Sequence, residues 1–218
     1  VFTAEVRPHV QEILDSYQFL AQLDLIRAKA ELAQEINAFE PQVQSEPHRD
    51  WIRAVHPLLQ RSLARQDKKV VPLDIILTRD KRLLIISGPN AGGKSVCLKT
   101  VGLLQYRLQC VLSVPLSERS TVGVFQDIMI DIGDEQSIAD DLSTYSSHLL
   151  NMKNMMRQSN ERTLLLIDEF GGGTEPAIGG AIAEAVLKQF WKKQAFGVIT
   201  THYQNLKHFD EDHEGVIN

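Results

Sequence analysis

Residues 88–95 read G-P-N-A-G-G-K-S, the spacing of a loop that binds the phosphates of a nucleoside triphosphate. An apolar run precedes this loop and apolar residues at helical spacing follow it, so the context is strand, loop and helix. The glycines let backbone N–H groups point at phosphate oxygens, and the helix N-terminus adds a partial positive charge. We expect Lys94 to reach the β- and γ-phosphates and the Ser95 hydroxyl to ligate Mg²⁺. The predicted ATP-binding residues are Gly88, Pro89, Asn90, Ala91, Gly92, Gly93, Lys94, Ser95 and Val96.

An acidic pair, Asp168 and Glu169, ends the segment T-L-L-L-I-D-E at residues 163–169. The apolar run before the pair predicts a strand buried on both faces, as in a parallel sheet. Ligands of open α/β sheets bind at the carboxyl ends of such strands. Asp168 therefore suits a contact to Mg²⁺, direct or through water, and Glu169 suits the general base that deprotonates the attacking water.

His202 follows a second apolar run, which begins at residue 196. A single histidine at a strand end is usually a structural polar residue. Beside a phosphate-binding loop and an acidic pair, a role in sensing the γ-phosphate is favoured. The predicted catalytic residues are therefore Glu169, His202 and Lys94, and the predicted metal ligands are Ser95 and Asp168.

Ser143 lies in a hydroxyl-rich stretch, L-S-T-Y-S-S-H, that precedes apolar residues at helical spacing. Serine is a common residue at a helix start, where it caps the first N–H groups. The same position can bind an anion. The spacing alone does not decide between these two roles.

The elements that must position these residues fit into one substantial domain with an appendage, since the chain has 218 residues. The 23 basic and 28 acidic residues give a net charge of −5, which indicates no nucleic-acid groove within the chain. Cys97 and Cys110 lack metal-binding or disulfide spacing, and Cys97 is predicted to be a core thiol. No run of 18 apolar residues and no targeting pattern occur, so we expect a cytoplasmic protein without membrane contact.

The pattern along the chain predicts two parts, a helical segment at 1–45 and a nucleotide-binding domain at 46–218. Apolar spacing predicts a long helix over residues 8–39. Residues 40–50 have linker composition, and 51–59 are predicted to be extended because Pro57 restricts His56. Residues 121–130 are predicted to form one strand.

The motifs G-P-N-A-G-G-K-S, T-L-L-L-I-D-E, G-G-G-T and T-T-H-Y, in this order, resemble those of the ATPase domain of the MutS family. The resemblance covers roughly residues 51–218. The segments D-I-G-D-E-Q-S and L-S-T-Y-S-S-H are more similar to the bacterial MutS paralogue of type 2, which has a Smr nuclease tail and suppresses recombination, than to the mismatch-repair protein.

This resemblance implies an α/β fold, a P-loop NTPase of the ABC type, with a mostly parallel sheet flanked by helices. It also implies that residues 1–45 are a remnant of a preceding core or lever domain. Family members hydrolyse ATP with Mg²⁺ and form homodimers through the ATPase domain. Carried over to this sequence, Ser143 would act in trans on the γ-phosphate held by the other subunit.

The implied role is a dimeric clamp on mismatched or branched DNA that controls repair or recombination, with DNA bound by domains outside this chain. The alternative is a nucleotide-gated factor that binds or splits ribosomes with the same ATPase head. A transporter-type ABC head would need an L-S-G-G-Q stretch, which this sequence lacks.

Overall fold

The computed structural model describes residues 2–88, 93–132, 141–170 and 175–218, with the backbone alone given for 141–146. The helices are α1 (Phe2–Val6), α2 (Val10–Glu35), α3 (Pro57–Ala64), α4 (Lys94–Gln109), α5 (Asp141–Gln158), α6 (Pro176–Lys192) and α7 (Phe209–Asp212). The strands are β1 (Gln42–Gln44), β2 (Arg49–Ala54), β3 (Leu73–Leu77), β4 (Leu83–Ser87), β5 (Thr121–Gly123), β6 (Asp127–Asp131), β7 (Thr163–Ile167), β8 (Phe196–Thr201) and β9 (Val216–Ile217). None of the helices in these ranges is long and apolar enough to cross a membrane.

A five-stranded parallel sheet organises the molecule, with strand order β6-β7-β8-β4-β9. The strand before the phosphate-binding loop is β4, and the strand before the acidic pair is β7. These two strands are not neighbours, because β8 lies between them and pairs with both. Since all five strands are parallel, the three C-terminal ends that carry the predicted site residues lie at one edge of the sheet.

Helices cover both faces of this sheet, which gives the α/β fold with a parallel sheet flanked by helices that the family resemblance implies. Successive residues of β7 point to opposite faces: Leu165 and Ile167 join one core cluster, whereas Leu164 and Leu166 join the other. The first cluster contains apolar side chains of α5 and α6, and the second contains those of α4. All five residues of β7 are buried, as the apolar run predicts.

A smaller mixed sheet, with strand order β1-β5-β2-β3, packs on the α4 side. Its β2 is antiparallel to both neighbours, and β1 is parallel to β5. The predicted linker at residues 40–50 is wrong, because β1 and the start of β2 lie there. The prediction of a single strand at 121–130 is also wrong, because β5 and β6 belong to different sheets.

The predicted extended segment at 51–59 is correct for β2 but wrong for its last three residues, which begin α3. Pro57 is the first residue of that helix, where its missing N–H costs nothing. His56 is the N-cap, with extended backbone, and its Nδ1 accepts the Leu59 N–H at 3.3 Å. The restriction that Pro57 places on His56 is thus real, but it marks a helix start.

Helix α2 is the long helix predicted over residues 8–39, and it ends at Glu35. Its end is a Schellman motif in which Asn37 has φ +50°. The Asn37 and Ala38 N–H groups donate to the carbonyl oxygens of Gln34 and Ala33 at 3.2 and 2.8 Å. No residue of α2 is buried in the described part of the chain.

A buried polar network joins the small sheet to α4. The Arg49 side chain is fully buried, lies over the Trp51 ring at 4.4 Å and donates to Gln105 Oε1 at 2.9 Å. The Gln105 amide donates in turn to Gln109 Oε1 and the Gly123 carbonyl, both at 2.9 Å. Burial lowers the pKa of Arg49 to about 9. This network fixes the helix that carries Lys94 against the second sheet.

Candidate active site

Three neighbouring strand ends and the start of α4 bring the predicted catalytic residues together. Gly88 follows β4, Asp168 and Glu169 follow β7, and His202 follows β8, the strand between the other two. Lys94 is the first residue of α4. Residues 89–92 of the predicted phosphate-binding loop, which include Pro89, Asn90, Ala91 and Gly92, lie outside the described residues.

Lys94 is nearly buried, with only 5% of the residue exposed. Its Nζ donates to the Gly88 carbonyl oxygen and lies 3.4 Å from each ring nitrogen of His202. Gly93 is the N-cap of α4 with φ +79°, a left-handed conformation that glycine adopts without strain. The ammonium group therefore lies at a helix N-terminus, where the helix dipole already favours an anion.

Ser95 and Val96 follow Lys94 in the first turn of α4. Ser95 is half-buried and Val96 is exposed. The predicted hydroxyl ligand, Ser95, and the predicted phosphate-binding residue, Lys94, are therefore neighbours at the start of one helix.

Asp168 lies at the end of β7 and is 6% exposed. Thr200 of β8 donates its hydroxyl hydrogen to Asp168 Oδ1. The Asp168 N–H donates to the Asp131 carbonyl oxygen of β6 at 2.9 Å. The carboxylate is thus fixed from both neighbouring strands.

Glu169 leaves β7 in a left-handed conformation, with φ +50°. Its N–H donates to the Thr200 hydroxyl oxygen at 2.9 Å. Its Oε1 lies 3.7 Å from His202 Nε2, and the two side chains are 44% and 47% exposed. Since His202 also lies next to Lys94, the three side chains form one polar line that is open to solvent at Glu169 and His202.

The donor set at this edge fits Mg²⁺. The Ser95 hydroxyl and the Asp168 carboxylate offer hard oxygen ligands, which Mg²⁺ prefers. No group of three or more His, Cys, Asp or Glu residues in the described ranges could hold a metal by itself. That arrangement suits a cation that takes one or two protein ligands and completes its shell with phosphate oxygens and water.

Ser143 belongs to α5, and later residues of this helix form hydrogen bonds to Asp131, the last residue of β6. Asp131 of β6 is a buried carboxylate. It accepts hydrogen bonds from His148 Nδ1 at 2.7 Å and from Asn151 Nδ2 at 2.9 Å. The Ser143 side chain and residues 171–174, the G-G-G-T motif, lie outside the described residues.

Sequence reasoning missed Thr200 and Asp131. The only sequence signal was their place at the ends of apolar runs, Thr200 in V-I-T-T-H and Asp131 in I-M-I-D. Their partners lie on other strands, so their contacts depend on strand order and register.

A profile of the family described as MutS domain V matches residues 84–218, well over half of the chain. The chain belongs to the MutS family. MutS domain V is a P-loop ATPase domain of the ABC type, so the predicted family and fold class are both confirmed.

MutS family relatives match this chain almost from end to end. A protein named Endonuclease MutS2 from Pediococcus pentosaceus is 43% identical over 216 residues, which is 99% of this chain and 27% of the relative. Endonuclease MutS2 from Carboxydothermus hydrogenoformans is 42% identical over 217 residues, 100% of this chain and 27% of the relative. The Enterococcus faecalis protein of the same name is 39% identical over 216 residues, which is 99% of this chain and 27% of the relative. The chain thus spans about a quarter of the length of these relatives.

Proposed function

We propose that this chain is the Mg²⁺-dependent ATP-hydrolysing domain of a homodimeric clamp that acts on DNA. One observation carries the enzymatic part. Lys94, His202 and Glu169 lie in a line along adjacent strand ends, with each neighbouring pair 3.4 to 3.7 Å apart. A cation, an imidazole and a carboxylate in that order match a triphosphate at Lys94 and an attacking water at Glu169.

Lys94 neutralises charge on the β- and γ-phosphates from a nearly buried position, where the low dielectric strengthens the attraction. His202 lies between Lys94 and Glu169, where an imidazole N–H donates to a γ-phosphate oxygen. Ser95 and Asp168 would hold Mg²⁺, and the bound ion would neutralise the charge that develops on the transferring phosphoryl group.

Glu169 is the general base. It takes a proton from water as the water oxygen forms a bond to the γ-phosphorus, and the bond from that phosphorus to the β–γ bridging oxygen breaks. The products are ADP and phosphate, and the proton leaves Glu169 to solvent. The left-handed backbone of Glu169 and its bond to Thr200 direct the residue away from the strand while its carboxylate stays accessible to water.

In the proposed dimer, Ser143 of one subunit meets the γ-phosphate bound by the other. Residues 1–45 then form part of a helical core or lever domain, and residues 46–218 form the ATPase head. The apolar side chains exposed along α2 support this division, because a helix of 26 residues with none of them buried is stabilised by packing that the described residues do not supply.

DNA is the proposed ligand of the intact protein, in the cytoplasm. The relatives are named endonucleases, and an endonuclease acts on nucleic acid. The net charge of −5 favours contacts made outside this chain, since phosphate binding needs clustered Lys and Arg.

The test is the steady-state ATPase rate of the intact protein with a branched DNA junction, a linear duplex of equal length, or stalled ribosomes. We expect the junction to change the rate most, at a salt concentration held constant across the three ligands. A rate that responds to ribosomes and to neither DNA would overturn the DNA part in favour of the ribosome-binding alternative. Absence of any turnover above a Lys94→Ala background would overturn the enzymatic part.

A further inference from the structure

Thr200 is completely buried in β8, one strand away from the acidic pair. The parallel register pairs Ile199 with Ile167, the last residue of β7, so Thr200 lies beside Asp168, the next residue along the chain. Its hydroxyl has two partners, Asp168 Oδ1 and the Glu169 N–H. One side chain therefore contacts both the predicted metal ligand, Asp168, and the predicted general base, Glu169.

The directions of these two hydrogen bonds are fixed by chemistry. The Glu169 N–H can only donate, so the Thr200 oxygen accepts there at 2.9 Å. The single hydroxyl hydrogen is then free to go to Asp168, whose ionised carboxylate can only accept. The result is a directional chain from the Glu169 amide through the Thr200 hydroxyl to the Asp168 carboxylate.

Each of these two hydrogen bonds fixes one torsion whose value matters for the proposed chemistry. The bond to Oδ1 sets the rotation of the Asp168 carboxylate about its last side-chain bond. The bond from the Glu169 N–H stabilises the left-handed backbone of Glu169, φ +50°, which a non-glycine residue adopts at a cost. Hydrogen-bond partners of metal ligands commonly orient those ligands and tune metal affinity.

We propose that Thr200 is the positioning residue that orients Asp168 toward the divalent cation of the nucleotide and holds Glu169 in its left-handed conformation. It touches neither substrate nor metal and acts through these two residues. This inference rests on the proposed ATPase function, because it assigns the cation to Asp168.

Thr201 provides a matched control on the same strand. It is also completely buried, its hydroxyl donates to the Phe170 carbonyl oxygen at 3.3 Å, and it accepts the Tyr203 N–H at 3.1 Å. Thr200→Val and Thr201→Val each exchange a buried hydroxyl for a methyl group of similar size and lose one donated and one accepted hydrogen bond. They differ in that the Thr200 bonds end on Asp168 and Glu169.

The experiment is a titration of the intact protein with Mn²⁺ in the presence of ADP, followed by electron paramagnetic resonance. We expect Thr200→Val to weaken Mn²⁺ affinity by about 10- to 100-fold. Thr200→Ser, which keeps the hydroxyl, and Thr201→Val should both bind Mn²⁺ with an affinity within about threefold of the wild-type affinity. The Mg²⁺ concentration for half-maximal ATPase activity should rise in Thr200→Val alone.

Wild-type Mn²⁺ affinity in Thr200→Val, or an equal loss in Thr201→Val, would overturn the inference. If Thr200→Val does not fold by circular dichroism, Thr200→Ala replaces it, because alanine also lacks the hydroxyl that bonds to Asp168 and Glu169. Unchanged affinity in that variant would overturn the inference equally. A wild-type protein that binds no Mn²⁺ with nucleotide would instead mean that the proposed function is wrong.

Discussion

At the scale of single residues, Lys94 shows how a folded chain keeps a cation available in a nearly buried place. Its ammonium group bonds to the Gly88 carbonyl oxygen, a neutral acceptor, and lies next to His202. A bound phosphate would therefore give this ammonium group a stronger hydrogen bond than it has now, since a charged acceptor forms a stronger hydrogen bond than a carbonyl. Lys99, one turn later in α4, is exposed and offers a comparison.

We expect Lys94→Ala to weaken ATP binding by about 10- to 100-fold, because it removes charged hydrogen bonds from a site with little solvent. Lys99→Ala removes a charge from the same helix and should leave the affinity nearly unchanged. Isothermal titration calorimetry of both variants measures the difference. Equal affinity in the two variants would contradict the assignment of this loop.

The two cysteines should differ in reactivity. Burial raises the pKa of the Cys97 thiol to about 11, so little thiolate is present at pH 8, whereas Cys110 is exposed. We expect iodoacetamide to modify Cys110 in the native protein and Cys97 only slowly. The Cys97 rate should rise about tenfold per pH unit below its pKa while the fold is intact, because the thiolate is the nucleophile. Peptide mass spectrometry reads both sites, and fast native labelling of Cys97 at pH 8 would contradict its burial.

At the scale of elements, the strand order β7-β8-β4 places β8, which His202 follows, between two other strands. One of these, β4, precedes the phosphate-binding loop, and the other, β7, precedes the acidic pair. Helix α5 is connected to this arrangement through Asp131. The Asp131 side chain bonds to His148 and Asn151 of α5, and its carbonyl oxygen accepts the Asp168 N–H. One residue of β6 thus contacts both the helix of Ser143 and the acidic end of β7.

We expect Asp131→Asn to loosen α5 without disturbing β7. The amide keeps the size of the carboxylate but replaces two charged acceptor oxygens with one neutral acceptor and one donor. Hydrogen exchange measured by mass spectrometry should become faster in residues 147–158 and stay unchanged in 163–167. Asp127→Asn, at the other end of β6, is the control, and equal exchange in both variants would contradict the role of Asp131.

Among the strands, those inside the parallel sheet could be predicted best from the sequence. The predicted runs before the lysine loop and before the acidic pair match β4 and β7, because a strand inside a parallel sheet is continuously apolar. The small sheet could not be predicted in this way. Its β1 is Q-V-Q, fully exposed, and forms a strand because β5, far away in sequence, pairs with it.

The same limit applies to the site. Motif spacing predicted Lys94, Asp168, Glu169 and His202, and the structure brings these four together at one sheet edge. Thr200 could not be predicted, since its contacts depend on β8 pairing with β7 in one particular register. A one-residue shift in that register would turn its hydroxyl to the other face of the sheet.

At the scale of the whole molecule, the proposed dimer makes each site depend on two chains. A subunit with Lys94→Ala and a subunit with Ser143→Ala are each inactive as homodimers if Ser143 acts in trans. In a mixed dimer, one site then carries both changes and the other carries neither. This distribution follows from a two-fold arrangement in which each surface meets its copy.

We expect mixing of the two variants to restore activity. Random pairing makes about half of the dimers mixed, so roughly a quarter of all sites become intact. The measurement is the ATPase rate against mixing ratio, with heterodimers verified by native mass spectrometry. A flat curve with heterodimers present would contradict independent sites completed in trans.

The central claim is that these residues form an ATP-hydrolysing site, and the most direct measurement separates binding from chemistry at Glu169. Glu169→Gln keeps the shape of the side chain but cannot take a proton from water. The intact variant should bind ATP as the wild type does, while single-turnover hydrolysis falls by roughly 10²- to 10⁴-fold. Hydrolysis at the wild-type rate, or loss of ATP binding together with hydrolysis, would contradict the claim.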